Sequence, residues 1–385
     1  MILFLTLDSF SHTGGIQKVA RTLSYTLGKL SKAANRKITY YNFSLYDDQP
    51  DNRYIAPSQF KGFKGNVFCF ILQTIIKGVC CKTIVVNHIN LLPLACLIKI
   101  VNYRLQIILI AHGTEVWREQ TFLKNACLQS RIQIWAVSNY TKNLLKTQHR
   151  IKAKRIFVLH NCIDPFFEIP KAFNKPGYLL KKYGLSADQP ILLTISRLNR
   201  YENQKGYDKI IQLLPELMKQ FPNLHYLLCG KSDQQEVLRL KKLITERKLG
   251  KHITLVGFIP ESVLSNHYLL ADVFVLPSQK EGFGLVFIEA AHCGCQIISG
   301  NCDGSYEAML YGALGTTVDP NNINAIKNAL IKNLSEQGFP AQRSGKQDPA
   351  IQKLKIQNTA IQNFSYTQYR RKIAALLAIK TTRHD

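Results

Sequence analysis

Short runs of apolar residues alternate with longer stretches whose apolar positions recur every three to four residues, and the alternation begins at the first residue. Ile2 to Leu7, Ile38 to Leu45, Thr83 to Asn87, Gln106 to Ala111, Ile134 to Val137 and Ile156 to Leu159 have strand length. Their nearly unbroken apolar character predicts strands covered on both faces. Helical patterns fall at Gly14 to Leu30, Val67 to Lys77, Leu91 to Ile100 and Asn139 to Lys146. This order predicts a parallel, doubly wound sheet.

The rhythm breaks between Asp164 and Asp188, where Pro165, Pro170, Pro176 and Gly177 predict a linker. A second series follows. Strands are predicted at Ile191 to Ser196, His225 to Cys229, Ile253 to Val256, Val273 to Leu276 and Gln296 to Ser299. Helices are predicted at Gly206 to Gln220, Gln234 to Lys248, Glu261 to Ala271, Gly284 to Cys293 and Ile323 to Asn333. Gln337 to Pro349 is polar and turn-rich, and Phe364 to Ile379 places Tyr369, Ile373, Leu376 and Leu377 at helical spacing. The expected fold class is α/β, with two Rossmann-like doubly wound domains facing each other across a cleft. The first spans 1–165, a linker 166–188, and the second 189–363. A C-terminal helical segment, 364–385, can cross back to the first domain. Ligands of such sheets bind beyond the carboxyl ends of the strands.

Composition narrows this. The 385 residues are 46% hydrophobic and 19% charged, which suits two packed domains and excludes collagen-like and disordered chains. Lys and Arg number 50 against 25 Asp and Glu, a formal charge of +25. Such an excess predicts an anionic partner or a solvated basic surface. Residues 1–170 hold 22 basic and 8 acidic residues, so the bias begins in the first half. The ten cysteines lack paired Cys-x-x-Cys spacing and sit mostly in apolar runs, as reduced core thiols do. Among His292, Cys293, Cys295 and Cys302, helical geometry points neighbouring side chains to different faces, so no metal is expected.

The N-terminus lacks a basic region ahead of its short apolar run. The greasiest stretch, Thr83 to Val101, is broken by Asn87, His88, Asn90, Pro93 and Lys99, whereas a span needs about 20 apolar residues. A cytoplasmic protein is expected. Lys61, Lys64, Lys77 and Lys82 flank Val67 to Ile76, which reads either as an ordinary core helix or as a segment lying on an anionic membrane face.

Candidate chemistry sits at predicted strand ends. Gly14-Gly15 follows the first strand and opens a helix carrying Lys18 and Arg21. Its bare backbone can receive an anion or simply make a tight turn; the dinucleotide pattern Gly-x-Gly-x-x-Gly is absent there. His112 ends a strand and is followed by Gly113, a position open to a structural or a functional reading. Arg197 follows the strand Ile191 to Ser196, and Lys205-Gly206 opens the next helix. A fork-shaped donor and a point charge at one strand end suit a diphosphate, or are two solvated charges. After Val273 to Leu276 comes Pro277-Ser278-Gln279-Lys280-Glu281-Gly282-Phe283-Gly284, then an apolar helix containing Glu289. A carboxylate there needs partners: ribose hydroxyls, or a buried salt bridge. Gly282 and Gly284 let backbone N–H groups approach phosphate or sugar oxygens.

These residues together resemble the retaining family-four glycosyltransferases, the glycosyl transferases group 1, with the GT-B fold, over nearly the whole chain. The resemblance rests on Gly14-Gly15, Ala111-His112-Gly113, Val137-Ser138-Asn139-Tyr140, Asn161 to Asp164, Ser196-Arg197-Leu198 with Lys205-Gly206, Gly257-Phe258-Ile259, Pro277-Ser278 and the pair Glu281 and Glu289. It departs at Cys162, where glycine is usual, at Lys231 and Ser232, and in a loop lengthened by Asn203-Gln204.

The resemblance implies that the Gly15 backbone, Arg197 and Lys205 bind the diphosphate of a nucleotide-sugar donor, with Gly14 in the same loop. Glu289 would bind the ribose, Glu281 with Gly282, Gly284 and the Phe283 to Leu285 backbone the donor sugar and phosphate, and His112 the transferred sugar. Arg197 and Lys205 would then stabilise charge on the leaving group without a metal or other cofactor. A glycan or lipid-linked acceptor, in cell-surface polysaccharide or glycolipid synthesis, is the implied partner, at the inner face of the plasma membrane or free in the cytoplasm. Two other classes remain open on the sequence. One is a non-catalytic nucleic-acid-binding protein, for which the +25 speaks but no binding motif does. The other is a different GT-B enzyme, such as a sugar epimerase or phosphorylase.

Overall fold

The computed structural model describes residues 1–33, 38–200, 203–339 and 349–379. Residues 201–202 of the loop after Arg197, 340–348 of the turn-rich stretch, and 380–385 lie outside the described residues, as does the Asn203 side chain. The chain forms two units, one of residues 1–165 with 366–385 and the other of 166–365.

In the first unit β1 (Ile2–Thr6), β2 (Tyr40–Ser44), β3 (Phe60–Gly62), β4 (Thr83–Val86), β5 (Gln106–Ala111), β6 (Gln133–Ala136) and β7 (Ile156–Val158) form one sheet of order β3-β2-β1-β4-β5-β6-β7. Every pairing in it is parallel. The continuous apolar runs explain why: Leu3, Phe4 and Leu5, like Ile84, Val85 and Val86, are sealed from solvent on both faces. One face packs beneath Phe70, Leu92, Ala95, Ile98 and Leu128. The opposite face packs under the helix Gly15–Ala33, through Ala20, Leu23 and Leu27, and under the helix Tyr366–Leu376, through Tyr369, Ile373 and Ala374. The final helix therefore belongs to the core of the first unit.

The second unit carries β8 (Ile191–Ile195), β9 (His225–Cys229), β10 (Ile253–Gly257), β11 (Val273–Leu276), β12 (Gln296–Gly300) and β13 (Thr316–Val318), in the order β10-β9-β8-β11-β12-β13. They too are all parallel. Strand order reverses between β1 and β4 in the first sheet and between β8 and β11 in the second, the places where such sheets leave room for a ligand.

The span 166–188 is not all linker. Pro176 caps the helix Gly177–Tyr183, which ends on Gly184 in the left-handed region at φ 63°. The helix packs on Leu264–Leu270, and Tyr183 Oη lies 2.9 Å from His267 Nε2. Pro176, read in the sequence as part of a break, stands at a helix start here. The helices Phe122–Gln129 and Pro349–Phe364 and the short strands β3 and β13 also escaped the apolar pattern. In Phe122–Gln129 the leading Phe122 and Leu123 face solvent, which blurs the period; in Pro349–Phe364 only Ile356, Ala360 and Phe364 supply an apolar stripe. The cysteines are free, and six of the ten are buried; Cys80 and Cys302 are exposed, so those two are surface rather than core thiols.

Candidate functional site

In the second unit the loops after β8, β11 and β12 converge at the switch point. Gly206, at φ 80°, starts the helix Tyr207–Leu217 so close to the end of β11 that a Cβ would meet the Pro277 carbonyl oxygen at 2.6 Å. Gln279 N–H donates to the Gln204 carbonyl at 2.8 Å. These contacts bring Lys205 to Glu281, and Nζ lies 2.6 Å from Oε1 with both side chains largely shielded, 17% and 16% exposed. Arg197, exposed, stands at the other end of the same loop. Leu198 behind it is buried, with its N–H on the Lys231 carbonyl at 3.0 Å.

The glycine-rich loop itself is anchored from β12 by a residue that the sequence did not single out. Asp303 Oδ2 accepts the Glu281 N–H at 2.6 Å, and its Oδ1 accepts the Ser305 N–H at 2.9 Å and the Ser305 hydroxyl at 2.5 Å. Gly304 N–H donates to the Glu281 carbonyl at 2.9 Å. Burial pushes the Asp303 carboxyl up to about 6, and the Glu281 carboxylate adds to the rise. Nothing in the local pattern Asn301-Cys302-Asp303-Gly304 marks this role, because the partner is 22 residues away.

Gly284, at φ 91°, is the N-cap of the helix Leu285–His292, and a Cβ there would strike the Phe287 ring. The side chain of Phe283 points into the core, edge-on to Phe364 at 5.7 Å, so of this residue only the backbone is placed to meet a ligand. Glu289 is buried on the next turns, and the Tyr268 hydroxyl donates to its Oε2 at 3.0 Å. Burial and the neighbouring carboxylate drive the Tyr268 hydroxyl well above its usual range, which keeps it a donor.

In the first unit Gly14 and Gly15 lie at the start of the helix Gly15–Ala33, and His112 at the end of β5, on the carboxyl edge of one sheet. Asp47, another residue missed in the sequence, holds the loop after β1. Its carboxylate accepts the N–H groups of Ser9, Phe10 and Ser11 and the hydroxyls of Ser11 and Ser44. His112 Nε2 lies 2.9 Å from the Asn87 carbonyl oxygen, which can only accept, so Nε2 carries the proton. The Glu115 carboxylate accepts the His112 N–H at 2.5 Å. Burial, which disfavours the imidazolium, brings His112 down to about 3; it is neutral at physiological pH.

Residues 179–347 match the family described as Glycosyl transferases group 1. That span contains Arg197, Lys205, Glu281, Asp303 and Glu289. A GDP-mannose-dependent alpha-(1-6)-phosphatidylinositol monomannoside mannosyltransferase of Mycolicibacterium smegmatis is 32% identical over 157 residues, 39% of this chain and 40% of that protein. An alpha-monoglucosyldiacylglycerol synthase of Acholeplasma laidlawii is 28% identical over 42% of each chain. The chain thus matches less than half the length of these curated relatives. Over the whole chain, the structure of Anabaena Alr3699/HepE, solved in complex with UDP, superposes with a TM-score of 0.75 at 18% identity, covering 98% of this chain and 99% of that one. That likeness is one of fold. The two doubly wound units therefore have the GT-B architecture expected from the sequence.

Proposed function

We propose that the chain transfers a sugar from a nucleoside-diphosphate sugar to a hydroxyl acceptor, with retention of anomeric configuration. The observation that carries this reading is the cluster of Lys205, Glu281 and the Asp303-anchored glycine loop at the switch point of the second sheet, inside the group 1 segment. The acceptor oxygen attacks the anomeric carbon from the leaving-group face. The bond from that carbon to the β-phosphate oxygen breaks, and the acceptor proton passes to the departing diphosphate. Arg197 and Lys205 stabilise the charge gathering there. Glu281 and the backbone of Phe283 to Leu285 hold the sugar and phosphate, Glu289 the ribose, and neutral His112 the transferred sugar as a hydrogen-bonding group rather than a charged acid. With two cations supplying the electrostatics, turnover needs no metal.

The relatives named for phosphatidylinositol monomannoside and diacylglycerol favour a lipid-linked acceptor, in glycolipid or surface-polysaccharide synthesis at the cytoplasmic face of the plasma membrane. A panel of UDP- and GDP-sugars tested for protection against thermal unfolding, followed by turnover in EDTA, checks the proposal. One donor is expected to raise Tm, and nucleoside diphosphate to accumulate only when acceptor is added, with or without EDTA. No stabilising donor, or nucleotide release that ignores the acceptor, sinks the transferase reading; restoration of an EDTA-silenced reaction by Mn²⁺ sinks metal independence.

Gly15 offers a sharper check of the first unit. A Cβ at Gly15 meets nothing within 4 Å, and alanine is the better helix former, so folding does not demand glycine there. If the bare backbone approaches the diphosphate, Gly15→Ala keeps or raises Tm and lowers kcat/KM about tenfold or more, the cost of roughly one displaced charge-assisted hydrogen bond. Unchanged kinetics assign Gly15 to the turn alone.

A further inference from the structure

Three helices lie over one face of the first unit's sheet: Val67–Gly78, Leu92–Val101 and Phe122–Gln129, the second packed against both others. Asn66 caps the first, its side chain accepting the Cys69 N–H, and the inward positions of all three belong to the core. Their outward positions are apolar as well. Phe68, Ile71, Leu72 and Ile76 recur at the spacing of one helical stripe and are 76, 39, 47 and 62% exposed. Leu97, Ile100 and Val101 continue the exposed surface on the second helix, and Phe122, 92% exposed, with Leu123 on the third. A helix flanking a sheet ordinarily turns polar residues outward. A contiguous apolar face of this kind marks a surface that something covers.

Charge says what covers it. From Phe60 to Thr114 the chain carries Lys61, Lys64, Lys77, Lys82, Lys99 and Arg104, and no Asp or Glu. Lys61, Lys82 and Arg104 are exposed; Lys64 pairs with Asp48 at 3.0 Å, and Lys77 sits over the Tyr41 ring. A second copy of this chain would bring the same positive charges against one another across a two-fold interface. An anionic bilayer meets both halves of the surface, acyl chains for the apolar stripe and head groups for the lysines. No described helix is long and apolar enough to cross a membrane, so the helices would lie along the interface. We infer that this three-helix face docks on an anionic lipid surface. The inference deepens the lipid-acceptor reading and rests on it only for the purpose of docking.

The full chain is sedimented, without nucleotide sugar, with vesicles of phosphatidylglycerol and phosphatidylcholine and with vesicles of phosphatidylcholine alone, at low and high salt. Binding to the anionic vesicles is expected to be stronger by about tenfold or more and to weaken with salt. Phe68→Asp and Ile100→Asp, at exposed positions outside the sugar-transfer machinery, each lower it by about tenfold, with circular dichroism and donor-nucleotide binding unchanged. Equal partitioning to both lipids, none to either, or full binding by both variants overturns the inference. So does self-association in sedimentation velocity that the same substitutions abolish, which would assign the face to a second copy. Failure of the sugar-transfer reading appears instead in the donor panel, which contains no lipid.

Discussion

Arg197→Ala and Lys205→Ala are each expected to lower kcat/KM by about 30- to 1,000-fold, the loss of about 2–4 kcal/mol of transition-state stabilisation. The two differ in how that loss arises. Arg197 is exposed, so the effect of its removal is expected to be carried by charge developing on the leaving diphosphate. Lys205 is shielded and paired with Glu281, so its removal also strands a carboxylate with little water to compensate it. A double-mutant cycle separates the two roles. If Lys205 serves only as the counter-ion of Glu281, then Lys205→Ala combined with Glu281→Ala is no slower than Glu281→Ala alone. If Lys205 meets the diphosphate, the double variant is slower still. Steady-state release of nucleoside diphosphate provides the measurement. Activity within about threefold of the parent for both single variants removes the diphosphate assignment.

The features legible in the sequence were those written in contiguous residues. Short unbroken runs such as Leu3–Leu5 and Val273–Leu276, each followed by a helical pattern, read as strands buried on both faces, and that alternation predicted two parallel sheets. The positions of Arg197, Lys205 and Glu281 followed, because loops at strand ends are where polar residues escape the apolar rhythm. What could not be read was pairing across distance. The Lys205–Glu281 bond links residues 76 apart, and a charge assigned to a ligand in the sequence already has a protein partner in the fold. Phe283 shows the reverse case: its neighbours are a candidate binding loop, yet its ring faces Phe364, from a helix whose sparse apolar stripe gave no warning. The lysines around Val67 to Ile76 left a core helix and an interfacial helix equally open. Phe70, Thr74 and Gly78 are buried while Phe68, Leu72 and Ile76 are exposed, so the helix has both a core face and an apolar outer face.

Asp303→Asn is expected to lower kcat/KM about tenfold or more while the protein still folds. The Asp303 carboxylate faces donors only: the N–H of Glu281 on one oxygen, and the N–H and hydroxyl of Ser305 on the other. An asparagine turns one of those oxygens into an NH2 group, which opposes a donor with a donor and leaves a buried group unmatched at about 1–3 kcal/mol. Asp303 touches the loop rather than the reacting atoms, so it positions Glu281, and a pH profile distinguishes that role from mere packing. With the carboxyl at about 6 in the folded protein and the ordinary value at 3.8, the folded state keeps between those limits a proton that the unfolded chain has released. Its contribution to stability is therefore full below the ordinary value and lost as pH rises through about 6. Activity should run the other way, since only the ionised carboxylate accepts all three bonds without a proton of its own. The parent is expected to lose kcat/KM as pH falls through about 6, with Tm rising relative to Asp303→Asn over the same interval. In the variant both trends flatten, because the titrating group is gone. An acidic limb that stays at the same pH in Asp303→Asn would assign the titration to another group and leave Asp303 a purely structural anchor of the loop.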